Sequence, residues 1–196
     1  MARTYNEYMA FDAKAYGTEV ARILALNGDG ERLMPLVCDV KADVAAGYKA
    51  ISAHSNLFPD ASHPTAALAG IWLYFSCSVQ AHEIAQDDLS VEGSYWHAIL
   101  HRQEPDDWNA GYWFRRVGKD HPVYQPLAQA AAHIASQNPA SGLTIATTWD
   151  PHAFIEYCAA ARSTPGSLQE RIALQVQRVE WQLLFDYCAR PQVKES

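Results

Sequence analysis

Residues 80–122 read QAHEIAQDDLSVEGSYWHAILHRQEPDDWNAGYWFRRVGKDHP, and their pattern predicts helices separated by short breaks. Stop signals such as Pro and Gly, and capping residues such as Asp, divide the stretch. The first expected segment is the end of a helix that begins at Pro64 and runs to about Gln86, and a loop over Asp87–Gly93 follows it. Next comes a helix over Ser94–Arg102, which Pro105 stops. A short third helix is capped by Asp106 or Asp107 and ends at Gly118. A short loop between the first two helices predicts that they pack as a hairpin.

The rest of the chain extends the helical pattern in both directions. Further helices are expected over Glu19–Asn27 with Thr18 as N-cap, over Cys38–Ser52, over Tyr124–Gln137, from Pro151 after the cap Asp150, and from the capping-box sequence Ser167-Leu168-Gln169-Glu170 onward. The last of these has apolar residues that step by four or three along one face. Strands that could form a sheet are missing from the pattern. We therefore expect an all-α, irregular helical bundle that forms a single domain over residues 1–196.

Composition and charge limit the function classes. The 196 residues suit one domain, and 49% hydrophobic with 19% charged residues suits a chain that buries a full core. A net charge of −7 argues against a nucleic-acid binder, which needs a basic face. The most apolar run, Ala66–Phe75, is too short to span a bilayer, and the N-terminus has no apolar signal region. We expect a cytoplasmic protein without nucleic-acid or membrane partners, and self-association into a homo-oligomer stays open.

Three histidines in residues 80–122 are expected to converge. His97 and His101 are four residues apart, which places them on one face of a helix, about 6 Å apart along its axis. His82 and Gln86 have the same spacing on the preceding helix. In a hairpin centred near residues 89–90, His82 lies level with His97, and Ser78 lies level with His101. If the polar faces of the two helices meet, the three imidazoles come together.

Convergent imidazoles suit three kinds of chemistry. Neutral imidazoles bind zinc or iron, and three such ligands with an open position make a catalytic metal site. A histidine can instead act as a general acid or base near neutral pH. It can also do no more than complete a structural hydrogen-bond network. The candidate catalytic residues are His82, His97, His101 and Glu104, and the candidate metal ligands are the three histidines.

Charged and aromatic residues around the histidines predict either ion pairing or a ligand pocket. Arg102 has Glu104, Asp106 and Asp107 nearby in sequence, and Arg115 loosely shares a helix face with Asp107. The alternative is an arginine fork for a carboxylate or phosphate group. Aromatic residues beside charged ones are typical of a small-molecule cleft, although most pack in cores. The candidate ligand-binding residues are Gln86, Arg102, Asn109, Arg115, Trp96 and Tyr112.

One motif in this stretch has a specific pattern of residues. It reads Tyr-Trp-His-x-x-x-His-Arg-x-Glu from Tyr95, then Asn-Ala-x-Tyr-Trp-Phe-Arg-Arg from Asn109, after a His-x-x-x-Gln that begins at His82. The motif resembles that of a family of uncharacterised bacterial proteins, over about Leu68–Leu127. A serine often precedes the first histidine in that family, whereas this chain has Ala81. The resemblance implies a family and no activity.

Two hypotheses from different classes follow, and whether the protein is an enzyme stays open between them. The first is an enzyme or small-ligand binder whose pocket is formed by the histidine-rich hairpin, with or without a metal ion. Titratable groups buried between helices without a purpose cost several kcal/mol when they are left unpaired. The second is a structural or protein-interaction module in which the polar residues form a closed network that fixes helix register.

Overall fold

The structure is a computed structural model that describes residues 11–38 and 44–191. Within these ranges the chain forms nine α-helices: α1 Thr18–Ala25, α2 Val44–Ser52, α3 Pro64–Tyr74, α4 Ser78–Asp87, α5 Val91–Gln103, α6 Asp107–Val117, α7 Tyr124–Gln137, α8 Pro151–Arg162 and α9 Leu168–Ala189. Two 3-10 turns, Ala13–Tyr16 and Pro139–Ser141, complete the regular structure of the described part. One isolated bridge joins Ala61 to Pro191, and no β-strand occurs in these ranges. The predicted all-α helical bundle is confirmed.

The core is built around α3, α5 and α9. Helix α3 is apolar on all sides, and a helix of that kind belongs in the centre of a bundle. From α9, Trp181 donates its indole N–H to the carbonyl of Gly70 at 2.8 Å. A Cβ on Gly70 would come within 2.6 Å of the Trp96 ring of α5. The missing side chain at Gly70 therefore lets α3 and α5 pack closely.

Three of the predicted helix starts are confirmed by their caps. The Asp106 side chain accepts the N–H of Asn109, and Asp150 caps the helix that begins at Pro151. The Ser167 hydroxyl accepts the N–H of Glu170 at 3.1 Å. Such caps satisfy donors that the first turn of a helix leaves unpaired, and local sequence alone predicts them.

The predicted helix from Pro64 to Gln86 is wrong, because it breaks at Ser76. Ser76 has a φ of 57°, and the N–H of Cys77 turns back to the carbonyl of Trp72 at 3.0 Å. The guanidinium of Arg32 donates to the carbonyl of Tyr74 and, at 3.0 Å, to the Ser76 hydroxyl. A side chain far away in sequence thus provides hydrogen-bond donors for the polar groups at the end of α3, and α4 begins as a separate helix.

Other helix boundaries also differ from the predicted ones. Thr18 lies inside α1, and Gly17 is its N-cap. Cys38 is not helical: its N–H donates to the carbonyl of Gln103, and residues 39–43 of the predicted Cys38–Ser52 helix lie outside the described residues. Helix α5 begins three residues before Ser94, because the Ser90 side chain caps it. In the described part of the chain, none of the helices has the length and apolar character that crossing a membrane requires.

Candidate functional site

Helix α5 lies between α4 and α6 and is buried along most of its length. Both neighbours pack extensively on α5 but have little contact with each other. His82 comes from α4, His97 and His101 come from α5, and Trp113 comes from α6. The histidines therefore lie at the contact between α4 and α5, and Trp113 covers His97 from the α6 side. We call His82, His97 and His101 the histidine cluster.

The imidazoles of the histidine cluster are in direct contact. The Nε2 atoms of His82 and His97 are 3.1 Å apart. The rings of His97 and His101 stack with centroids 4.8 Å apart, and the His82 ring stands edge-on to His101 at 5.5 Å. One nitrogen from each residue lies within 4.8 Å of the other two. The predicted convergence of the three imidazoles, with His82 level with His97, is confirmed.

These distances suit a transition-metal ion. Zinc–nitrogen bonds of 2.0–2.1 Å place two ligands of a tetrahedral ion roughly 3.4 Å apart. The 3.1 Å between His82 and His97 is close to that spacing, and pairs within 4.8 Å reach it by a side-chain movement of the order of an ångström. Imidazole nitrogens prefer zinc or iron over magnesium or calcium. The donor set of the cluster therefore fits zinc or iron.

A carboxylate supports His101 from outside the cluster. Glu104 Oε2 lies 3.1 Å from Nδ1 of His101, and Asp106 Oδ2 lies 3.9 Å from the same atom. A carboxylate beside one imidazole nitrogen favours the proton on that nitrogen and leaves the other nitrogen for a ligand. Glu104, a predicted catalytic candidate, is thus in contact with the cluster.

The environment of His97 keeps its imidazole neutral. Its side chain is 2% exposed and stacks on the Trp113 ring, with centroids 4.0 Å apart. Burial, with smaller contributions from His101 and His82, lowers the pKa of His97 to about 3. Burial also lowers the pKa of His101, against the opposing effect of Glu104. Nδ1 of His97 is buried and has no hydrogen-bond partner within residues 11–38 and 44–191.

Three of the predicted ligand-binding residues lie on α4 and α6, the helices beside the histidine cluster. Gln86 is exposed on α4, one turn after His82. The Asn109 amide donates to Asp106 at 2.6 Å, so it supports the start of α6. Tyr112 is 40% exposed and meets the Trp113 ring edge-on, with centroids 5.4 Å apart.

The other three lie apart from the histidine cluster. Arg115 is exposed on α6. Trp96 is 1% exposed and packs against Gly70 in the core. Arg102 is also 1% exposed, with its guanidinium 4.7 Å from the centroid of the Phe154 ring. The structure does not bring these side chains to the histidine cluster.

The predicted ion pairs of the arginines are wrong. Arg102 pairs with Glu180 of α9 and not with Glu104, Asp106 or Asp107. Asp107 pairs with Arg162 of α8 at 2.7 Å and not with Arg115. In both cases the partner comes from a helix far away in sequence, and the packing of α8 and α9 on α5 and α6 provides it. Nearness in sequence is a poor guide for a residue that points into the core.

Sequence reasoning also missed a second polar cluster at the start of α5. Glu92 lies between two imidazoles, with Nδ1 of His63 at 3.5 Å and Nε2 of His121 at 3.8 Å. His63 is half-buried and stacks on Tyr187. Burial lowers the pKa of His121 to about 4.

Comparisons with known protein families, with curated proteins and with solved structures find no match to this chain. The resemblance to a family of uncharacterised bacterial proteins therefore stays a prediction. A function is therefore inferred from the histidine cluster itself.

Proposed function

We propose that the protein binds a zinc or iron ion through His82, His97 and His101 and that the site acts on a small molecule. The single observation that supports this proposal is the convergence of three imidazole nitrogens from two helices within 4.8 Å. Two of these histidines are buried, and polar groups in that position are normally compensated by a partner. A metal ion is the partner that accepts three neutral imidazoles at once.

The surrounding residues have positioning roles in this proposal. Glu104 places its carboxylate beside Nδ1 of His101 and would orient that ring, as carboxylates commonly do for metal-binding histidines. Trp113 fixes the plane of the His97 ring by stacking on it. A zinc or iron ion held by His82, His97 and His101 would supply Lewis-acid activation of a water or a substrate oxygen.

A metal-free pocket is the second candidate, and the contact between His82 and His97 favours it. Nε2 atoms 3.1 Å apart fit a direct imidazole–imidazole hydrogen bond, in which one ring donates and the other accepts. Metal content separates the two candidates.

The deciding experiment replaces each cluster histidine by alanine and measures bound metal by mass spectrometry. Wild-type protein incubated with zinc or iron should retain about one ion per chain, as a mononuclear three-ligand site implies. His82→Ala, His97→Ala and His101→Ala should each lose most of it. His152→Ala is the matched control, because His152 is exposed on α8 and should keep the wild-type content.

Two outcomes would contradict the metal site. One is unchanged metal content in both His97→Ala and His101→Ala. The other is wild-type protein that stays metal-free after incubation with zinc and with iron, in which case the metal-free pocket is the better explanation. If, in addition, mutation of the cluster changes stability alone and no small molecule binds, the structural or interaction module is favoured.

A further inference from the structure

The connection between α7 and α8 contains a segment that has the pattern of a β-strand but no partner strand among the described residues. Residues 143–146, which we call the edge segment, form no helix, turn or bend. Leu143 and Ile145 are half-buried and pack against the core. Thr144 and Ala146, which alternate with them, are exposed. Such alternation is typical of a strand that has one covered face.

The backbone around the edge segment has its hydrogen-bonding groups unpaired. Among the described residues, no hydrogen bond is formed by the backbone N–H and C=O groups of residues 144–149. The neighbouring hydrogen bonds end before this stretch. The Tyr157 hydroxyl donates to the Ser141 carbonyl at 3.0 Å, and the Leu143 N–H donates to the Ser141 hydroxyl at 3.3 Å. A row of unpaired backbone groups is a template for pairing with a strand of another chain.

A cleft lies between the edge segment and α8. Its volume is about 570 Å³, which is within the range of ligand-binding pockets. The large apolar side chains that line it are Leu143, Ile145, Trp149, Phe154 and Tyr157. The ring centroids of Trp149 and Phe154 are 5.0 Å apart, and the planes of Phe154 and Tyr157 are within 17° of parallel. An apolar side chain that enters the cleft would therefore contact aromatic rings.

One side chain that lines the cleft has an unpaired hydrogen-bond donor. Trp149 is 5% exposed, and its buried Nε1 has no hydrogen-bond partner among the described residues. A buried indole N–H normally has an acceptor. Because Trp149 lines the cleft, a carbonyl oxygen of an occupant would be a suitable acceptor. A peptide backbone has such an oxygen at every residue.

The rim of the cleft is acidic. Asp150 and Glu156 both line the cleft and are exposed. If the edge segments of two copies paired with each other, two acidic rims would meet, and each copy has a net charge of −7. A partner with basic side chains has the complementary charge. Charge therefore favours a basic peptide over a second copy of this chain.

We propose that the edge segment and the cleft form a docking site for an extended peptide in which an apolar side chain lies between basic ones. Backbone hydrogen bonds to the edge segment supply affinity, and the apolar side chain in the cleft supplies specificity. Alternate residues of a strand share a face, so basic residues two positions before and after the apolar one reach Asp150 and Glu156. None of the residues that line the cleft belongs to the histidine cluster, so this site is independent of the proposed metal site.

The test titrates the isotope-labelled full chain with a synthetic, terminally blocked peptide of sequence KVFVK and follows the NMR signals of the protein. The indole N–H signal of Trp149, identified by its loss in Trp149→Phe, should shift. The backbone amide signals of the edge segment should shift with it, and these amides should exchange more slowly with solvent. The concentration dependence of the shifts gives the affinity.

Two analogues of KVFVK distinguish strand pairing from side-chain binding alone. One has N-methyl groups on both valines, and the other has them on the phenylalanine and the second lysine. The N–H groups of a strand point alternately to its two edges, so only one analogue loses the N–H groups that face the edge segment. That analogue should bind about tenfold more weakly, because two backbone hydrogen bonds are lost. The other should keep the affinity of the parent peptide.

Reversing a charge at the rim tests the basic residues of the peptide. Glu156→Lys should weaken the binding of KVFVK about fivefold and should reverse the preference between KVFVK and EVFVE. Glu83→Lys is the matched control, because Glu83 is an exposed glutamate on α4, and it should keep the wild-type affinities. The signals of residues outside the cleft report whether each variant is folded.

Four results would overturn the proposal. The first is that excess KVFVK leaves the Trp149 indole and the edge-segment amides unshifted. The second is that the two N-methyl analogues bind equally, because no strand would then be formed. The third is an equal effect of Glu156→Lys and Glu83→Lys, because the rim would then have no special part. The fourth is slower exchange of the edge-segment amides as the protein concentration alone rises, which would assign the edge segment to a second copy of the chain.

Discussion

Two neighbouring residues of α5, His101 and Arg102, enter very different polar environments. Arg102 points into the core, where Glu180 balances its charge and Gln177 accepts a further hydrogen bond. His101 points toward α4, where it meets two other imidazoles and one half-exposed carboxylate. In the first environment the opposite charges of two side chains balance each other, whereas the second brings three metal-ligating nitrogens together.

The comparison shows that burial of a polar group is a poor sign of function by itself. Glu180 is fully buried, and the Tyr95 hydroxyl donates to it at 3.2 Å, so the core pair has its own supporting partners. Buried nitrogens without a hydrogen-bond partner among the described residues occur in both environments, at Nε and Nη1 of Arg102 and at Nδ1 of His97. The histidine cluster differs because it gathers three metal-ligating nitrogens within 4.8 Å of one another, and that convergence makes it the better candidate for ligand binding.

The largest expected effect comes from breaking the ion pair of Arg102 and Glu180 in the core. Glu180→Ala leaves the Arg102 guanidinium buried without its countercharge, so the free energy of unfolding should fall by about 3–5 kcal/mol. Urea denaturation measures the change. The double variant Arg102→Met/Glu180→Leu should recover most of the loss, because it removes both charges from the core. A loss below about 1 kcal/mol in Glu180→Ala would show that water reaches the pair.

A second prediction concerns the histidine cluster and its response to metal. Zinc at about 100 times its dissociation constant should stabilise wild-type protein by about 2.7 kcal/mol, since it binds only the folded chain. His97→Ala should lose this stabilisation, while Glu180→Ala should keep it. Denaturation with and without zinc, with a chelator as the reference, gives both values. Equal stabilisation of all three proteins would place the metal elsewhere.

The third prediction uses the lowered pKa of His97 in metal-free protein. The folded chain resists protonation down to about 3, whereas the unfolded chain binds the proton near 6.5. The contribution of this residue to stability is therefore complete above pH 6.5 and declines as the pH falls toward 3, with a limiting slope of about 1.4 kcal/mol for each pH unit. His97→Phe keeps a ring against Trp113 and should flatten this part of the pH profile. A profile as steep as that of the wild type would assign the loss to other groups, among them His121.

The smallest expected effect comes from removing the negative charge that lies beside His101. Glu104→Gln keeps the size of the side chain and removes the charge beside Nδ1, so zinc affinity should fall about tenfold. Stability in the absence of metal should change little, because Glu104 is an exposed residue. Competition with a chromophoric chelator measures the affinity. An unchanged affinity would mean that Glu104 does not orient His101.

Sequence reasoning succeeded where the contacts are local. The histidine cluster was predictable because an i, i+4 spacing and a short loop fix which residues of a hairpin face each other. The loop proved to be only three residues long, which does not move its centre. The starts of α6, α8 and α9 were predictable for the same reason, since each cap bonds within its own first turn.

Predictions from the sequence failed where a residue far away in the chain determines the local structure or the ion pair. Glu180 lies 78 residues after Arg102, and nothing near Arg102 in sequence announces it. The end of α3 depends on Arg32, which is 44 residues before Ser76. Trp113 was read as one of several core aromatics, because its stacking on His97 depends on how α6 lies on α5. Contacts between helices need the tertiary packing that single-sequence patterns do not contain.

The break at Ser76 gives α4 a mechanical character of its own. Because α3 ends at Tyr74, α4 is a separate ten-residue helix with a three-residue connection at each end, rather than the tail of a longer helix. It carries one histidine of the cluster, while α5 carries the other two. An ion bound by all three histidines would therefore cross-link two independent helices, in addition to the packing that already holds α4 on α3 and α5.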